Sequence, residues 1–247
     1  MDVVVLAGGA LKGDWSALTE VSERWQLPVH GEAILERVCR AAAPLGELRV
    51  VGGPDGIPAG QHFIESLGRG LNAVTTERMM LITADMPDVT TEDLTDVVAR
   101  TPIDAEIAYP IIPLAACEAK YPGVARTSLR LREGTFTGGN VAVMHTESMR
   151  RSMAQMELAY VARKSPVKLA AILGFGTLLR VILGRAAPQT LPIATLERAA
   201  TRALKSRVRG VITQAAALGT DIDKPDQYAA WLKLNGLPAP QSLKQNW

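Results

Sequence analysis

Short apolar runs alternate with helix-spaced apolar positions through the first hundred residues. DVVVL (2–6) reads as a buried strand, because it is rich in β-branched residues. EAILERVCRAAAPL (32–45) carries apolar residues at helical spacing and stops near Pro44 and Gly46. LRVVGG (48–53) predicts a second strand ending in a glycine turn, and FIESLGRGLNAV (63–74) a second helix. RMMLITADMPDV (78–89) predicts a third strand that runs into a loop. TTEDLTDVVART (90–101) opens with threonine followed by acids, a favourable helix start. This strand–helix–strand repeat predicts an α/β domain, with a mostly parallel central sheet flanked by helices on both faces.

The second half is less regular. AEIAYPII (105–112) and GGNVAVMH (138–145) read as strands, while 147–163, 166–184 and 194–206 read as helices, with a proline-rich joint at 187–192. GVITQ (210–214) fits a last strand or a helical turn equally well. DIDKPDQYAAWLKLNG (221–236) predicts an acidic turn and a short helix ending at Gly236. The expected organisation is one domain over 1–236, with a helical insertion or lid at 146–206, and a tail at 237–247. The stretch 167–184 is the most apolar, but its longest uncharged run is 11 residues between Lys168 and Arg180. A membrane span needs about 20 residues. The alternatives are a buried helix or helix pair, or an apolar lid or surface that touches lipid, a partner or an apolar substrate.

Composition narrows the function. Charge is nearly balanced, 27 basic against 25 acidic residues, and aromatics make up only 4%, so the footprint of a nucleic-acid binder is missing. Cys39 and Cys117 belong to no metal-spaced set and predict neither a zinc site nor a disulfide scaffold. MDVVVLAGG does not resemble a signal peptide, and the expectation is a cytoplasmic protein; a homo-oligomer stays open.

Four clusters carry candidate chemistry. Leu6-Ala7-Gly8-Gly9 ends the first strand, where glycines allow a ligand to approach backbone N–H groups. No dinucleotide fingerprint or P-loop follows. Thr83-Ala84-Asp85-Met86-Pro87 ends the third strand; Asp85 is placed either to hold Mg²⁺ or to cap the loop. Thr137-Gly138-Gly139-Asn140 reads as a ligand-approach turn or a glycine hairpin. Asp221 and Asp223, at i and i+2 before a helix, are candidate metal ligands or an N-cap. His30, His62 and His145 form no ligand set and read as structural, as do Arg130 and Arg132, whose spacing of two suits a solvated strand face.

In this order the clusters resemble the MobA-like NTP transferases, nucleotidyltransferases of the GT-A, Rossmann-like fold. LAGG is similar to their nucleotide-binding turn, ADMP to the segment whose aspartate binds metal, and DIDKPDQY to their closing acidic motif. The resemblance covers nearly the whole chain and implies that Leu6, Ala7, Gly8 and Gly9 line the nucleotide. It implies that Asp85 and Asp223 hold Mg²⁺, with Asp221 as the alternative ligand, and that Gly139 and Asn140 face the acceptor. Arg126 is the candidate for an acceptor phosphate. RWQLPVHGEAIL (24–35) departs from the family pattern: Arg24 stands where a phosphate-binding lysine is usual, and Glu32-Ala33 where arginine-proline is common. Lys12 could supply the missing charge.

The resemblance implies transfer of an NMP unit from an NTP to a phosphorylated small molecule, a sugar phosphate or molybdopterin-like acceptor, with release of pyrophosphate. The competing expectation is a catalytically degenerate nucleotide- or partner-binding member. A glycosyltransferase is disfavoured, because the only DxD is Asp221-Ile222-Asp223 near the C-terminus.

Overall fold

Along β1 (Asp2–Leu6) every residue is buried, and successive side chains enter different cores. Val3 and Val5 pack in one hydrophobic cluster, Val4 and Leu6 in another. That alternation is the period of two of a strand covered on both faces. The computed structural model describes residues 1–124, 126–162, 172 and 187–238.

β1 lies between β4 (Leu48–Val51) and β5 (Arg78–Thr83), parallel to both. The sheet continues β5–β9–β6–β8–β7, with β10 beside β6. Here β6 spans Ile107–Pro113, β7 Leu129–Leu131, β8 Gly134–Gly138, β9 Val141–His145 and β10 Val208–Ile212. β2 (Pro28–Val29) and β3 (Glu32–Ala33) form a separate small ribbon. On one face lie α1 (Ile34–Ala42), α3 (Thr91–Arg100) and α7 (Pro225–Leu234); Val38, Leu94, Tyr228 and Trp231 fill that core. On the other lie α2 (Phe63–Asn72), α5 (Thr146–Ala162) and α6 (Ile193–Leu204), through Leu67, Leu71, Met149 and Leu204. A short α4 (Leu114–Lys120) follows β6. The α/β class and the helices on both faces are as the periodicity predicts, and the fold is Rossmann-like.

The sheet is mixed, which the repeat did not predict. β9 is antiparallel to β5 and to β6, and β8 is antiparallel to β6 and β7. β8 and β9 follow one another along the same edge of β6. Ala108 lies opposite Val143 and Ile111 opposite Gly138, so three steps on β6 face five on its partner. Two extra residues, Gly139 and Asn140, form a bulge that bends the strand toward β5. GVITQ resolves into the end of β10, parallel to β6. The two ends of 146–206 are helices packed on the sheet; the expected helix at 166–184 and its apolar stretch lie outside the described residues, apart from Ile172 in helical conformation. No helix among the described residues is long and apolar enough to cross a membrane.

The turns after β1 and β4 touch. Gly52 has φ +92°, and a Cβ there would lie 2.8 Å from the Gly8 nitrogen and 2.9 Å from the Ala7 carbonyl carbon. Gly52→Ala is therefore expected to cost about 2 kcal/mol, from the positive φ and the backbone clash together. Equilibrium urea unfolding checks this, and an unchanged midpoint would show that the turn has room for a side chain.

Candidate active site

The carboxyl ends of β1 and β5 open side by side, the place where parallel sheets bind ligands. Leu6 and Ala7 are buried, while Gly8 and Gly9 reach the surface. The loop from Ala10 to Glu23 closes on itself: Leu11 N–H donates to Ser22 O at 3.0 Å, and Arg24 N–H donates to Gly9 O at 3.1 Å. This closure returns Arg24 to the glycine turn. Trp15 is buried against Tyr228 and pins the loop onto α7. Lys12 stays exposed within the loop.

Three aspartates converge at this end of the sheet. One oxygen from each of Asp85, Asp221 and Asp223 lies within 4.8 Å of the others. Asp85 does not cap the loop. Its Oδ1 accepts a 2.6 Å hydrogen bond from Thr83 Oγ1, and its Oδ2 a 2.8 Å bond from Arg24 Nη1. The same Nη1 lies 2.5 Å from Asp223 Oδ1. Neither Asp221 nor Asp223 is the N-cap of α7. Lys224 holds that position, and the Gln227 side chain accepts from the N–H groups of Asp223 and Lys224. The capping work thus falls to Gln227, and both carboxylates remain for the site. Asp221, the alternative ligand in the sequence reading, joins the cluster together with Asp223.

The bulge in the bent strand places Asn140. Its backbone bridges Leu218 O and Thr83 N–H, and its Nδ2 donates to Asp221 Oδ1 at 3.2 Å. Gly139 has a different job: it is buried, its N–H donates to Pro110 O, and a Cβ would lie 2.8 Å from Pro110 Cγ. Gly138 is the glycine that faces the adjoining cavity of about 600 Å³. Arg126, Asn140, Thr220, Asp221 and Asp223 also line this cavity. Arg126 Nη2 donates to Thr220 Oγ1 at 3.3 Å, and the guanidinium lies beside the Cys117 thiol, while its buried Nε and Nη1 have no oxygen acceptor. Buried unpaired guanidinium N–H groups are costly unless an anion arrives. Thr137 and Lys224, members of the third and fourth clusters, belong to the wall as well, and so do Tyr109 and Gln227, which the sequence reading did not single out. Tyr109 is the exposed residue of β6, whose other residues are buried or half-buried.

Other sequence candidates have structural roles. His62 accepts from Glu65 N–H at the start of α2, His145 pairs with Glu77, and His30 sits against Asp88 and the edge of Trp231. Glu32 pairs with Arg37 and Arg40, and Arg37 Nε donates to Pro87 O at 2.8 Å. The departure at Glu32 thus helps brace the loop that carries Asp85. Arg130 and Arg132 are exposed, as their spacing predicts.

Burial pushes the Asp85 carboxyl up, and nearby Asp223 adds to this; the Thr83 hydroxyl and the Arg24 guanidinium pull it back. Asp221 is pushed up to about 6, first by burial and then by its two acidic neighbours. Unfolded, such a group titrates near 3.8. Between the two values the folded state holds the extra proton, so this group costs stability as the pH rises through that window. In metal-free buffer, Asp221→Asn is expected to melt above wild type at pH 8, the gain shrinking as the pH falls toward 4. Thermal melts across that range test it; a gain that does not vary with pH would unlink Asp221 from the effect.

No protein-family profile matches the chain, and no curated protein matches it. Among solved structures, a hypothetical transferase from Thermus thermophilus is 32% identical over 92% of this chain and 98% of its own, with a TM-score of 0.80. A mannose-1-phosphate geranyltransferase, also from Thermus thermophilus, is 16% identical, covering 96% of this chain and 79% of its own, with a TM-score of 0.52. A 4-diphosphocytidyl-2C-methyl-D-erythritol synthase from Anaerococcus prevotii is 10% identical over 94% of this chain and 97% of its own, with a TM-score of 0.52. The last two share the fold. The identity and coverage of the first show that the chain belongs to the family of the Thermus thermophilus hypothetical transferase, built on a Rossmann-like fold.

Proposed function

We propose that this protein is a Mg²⁺-dependent, MobA-like nucleotidyltransferase of the cytoplasm that moves an NMP unit from an NTP to a phosphorylated small molecule. The observation that carries this reading is the convergence of Asp85, Asp221 and Asp223 beside a glycine turn and a polar, arginine-containing cavity. Its family relative is a hypothetical transferase, in keeping with group transfer. The donor set suits magnesium, which takes oxygen ligands and uses one or two carboxylates while leaving room for phosphates. The cluster also wants positive charge: three carboxylates face one guanidinium. Asp85 and Asp223 are the proposed ligands, with Asp221 beside them. When bound, the ion supplies neutralisation of charge on the reacting phosphates.

The chain's own residues do the rest. Leu6, Ala7, Gly8 and Gly9 form the nucleotide edge, and the exposed N–H groups of the glycine turn present partial positive charge to the phosphates. Lys12, exposed one loop away, and Arg24, at the turn itself, are the cationic side chains for the β- and γ-phosphates. Arg126, whose Nε and Nη1 have no oxygen acceptor, offers its guanidinium to the acceptor phosphate. The Asn140, Thr220 and Gln227 side chains offer hydrogen bonds to acceptor hydroxyls, which suits a sugar phosphate or a molybdopterin-like group. An acceptor phosphate oxygen forms the new bond to the α-phosphorus while the bond to the bridging β-phosphate oxygen breaks, releasing pyrophosphate. The attacking oxygen is already ionised at neutral pH, so no general base is required.

A second reading, a nucleotide-sensing or partner-binding member without turnover, is favoured by the Arg24 guanidinium lying across two of the acids. Calorimetry with ATP, GTP, CTP and UTP, with and without Mg²⁺, separates the two. The expected result is one preferred NTP, bound with Mg²⁺ and weakened about tenfold or more in Asp85→Asn, followed by pyrophosphate release once an acceptor is supplied. Binding that ignores both Mg²⁺ and Asp85, with no pyrophosphate from any acceptor, would favour the sensor. With an acceptor in hand, Arg126→Ala should raise its KM about 10–100-fold, the worth of a charged hydrogen bond, at similar kcat. An unchanged KM would remove Arg126 from the acceptor site.

A further inference from the structure

Arg24 Nη1 lies 2.8 Å from Asp85 Oδ2 and 2.5 Å from Asp223 Oδ1. Those are two of the oxygens proposed to ligate the metal, and magnesium takes its oxygens at about 2.0–2.1 Å. An ion held by both would occupy the space of the guanidinium nitrogen. We infer that Arg24 is a displaceable counter-ion: it bridges Asp85 and Asp223 until a divalent cation binds, and then carries its charge to the phosphates at the Gly8–Gly9 turn. This rests on the proposed metal role of Asp85 and Asp223.

Three features support displacement over a fixed ion pair. First, the pairing is poor for arginine. One nitrogen bridges two acids, whereas a settled arginine–carboxylate pair uses its planar fork on both oxygens. The buried Nε has no partner at all. Second, the exit is open. Asp223 is about half exposed, at 48%, whereas Asp85 is at 11%, so the outer contact can break into solvent. Third, the main chain is already at the destination. Arg24 N–H donates to Gly9 O, and Ala10 pairs with Glu23, so a released side chain starts beside the glycine turn. Arginine and metal then exclude one another at the acids by like charge, while a triphosphate can engage both.

The test is Mn²⁺ binding without nucleotide, read from the free-ion electron paramagnetic resonance signal, on wild type, Arg24→Gln, Arg24→Lys, Asp85→Asn and Asp223→Asn. Removing the competing charge should tighten Mn²⁺ about tenfold or more in Arg24→Gln. Arg24→Lys, which keeps the charge, should stay within about threefold of wild type, since a tenfold step needs a change of about 1.4 kcal/mol. Both aspartate variants should bind more weakly. Melting provides a second readout: Arg24→Gln should melt below wild type in chelator and gain more from Mn²⁺ than wild type does. If Arg24→Gln binds Mn²⁺ no better than wild type while Asp85→Asn and Asp223→Asn bind worse, the metal reading stands and the displacement is wrong. If the aspartate variants bind as wild type does, the metal reading falls and the displacement with it. An Arg24→Gln protein that stays unfolded in saturating Mn²⁺ also overturns the proposal, because the ion could not then replace the guanidinium.

Discussion

Three carboxylates with oxygens inside 4.8 Å of one another repel, and the site is organised around that repulsion. In water such a group would spread apart or bind counter-ions. Here Asp85 is largely buried at the end of β5, where desolvation adds to the cost of its charge. Neighbouring groups donate to the cluster or fix the backbone that carries it. Thr83 and Arg24 donate to Asp85, Asn140 donates to Asp221, and Gln227 relieves Asp223 of capping duty. Ile222 N–H donates to Asp85 O at 2.9 Å and ties the two acidic segments together through the main chain.

The scaffold can hold this arrangement because its two cores are continuous beneath it. Val3, Val5, Met80 and Ile82 face one helical layer, Val4, Leu6, Met79 and Leu81 the other. Burying such side chains contributes about 1.5–3 kcal/mol each, enough in aggregate to offset a charged cluster at the strand ends. The position of the acids follows from the sheet. β1 and β5 are parallel neighbours, so their carboxyl ends open on the same edge. β9 runs the opposite way between β5 and β6, and the Gly139–Asn140 bulge lies at its start, next to Thr83. An uninterrupted parallel strand in that place would have presented its other end there. The antiparallel insertion is therefore what delivers Asn140 to Asp221.

Much of this was legible in the sequence where a pattern is local. The β-branched run of β1, the threonine start of α3 and the amphipathic α1 each announce themselves within ten residues. Asp85 and the Asp221–Asp223 pair could be read as candidates because acids at strand and helix ends are few. What could not be read is long-range. Arg24 and Asp85 are 61 residues apart, and no periodicity signals that a loop closed by Leu11 and Ser22 brings them together. β7 is only three residues long and β8 begins and ends in glycine, so neither announces its partner, and the antiparallel direction of β8 and β9 is not legible from them. Gly139 looked like the twin of Gly138. Only the packing of Pro110 against it shows that one glycine serves the bend and the other the cavity.

The departures from the resembled family are of two kinds. Glu32 is absorbed into structure: it holds Arg37, and Arg37 holds the Pro87 carbonyl, so the segment after Asp85 is braced by a different set of residues. Arg24 is not absorbed in that way, since its Nε is left without a partner and its single nitrogen serves two acids. A purely structural cluster would be improved by the simplest change available, one aspartate to asparagine. That change would remove a repulsive charge, keep a hydrogen-bonding side chain, and leave Arg24 with a single good partner. Three ionisable groups kept so close, with one ill-fitting cation, make physical sense if the balance of positive charge arrives from outside. Beside a glycine turn and an arginine with two nitrogens lacking an oxygen acceptor, that outside charge fits best as a cation that travels with an anionic substrate.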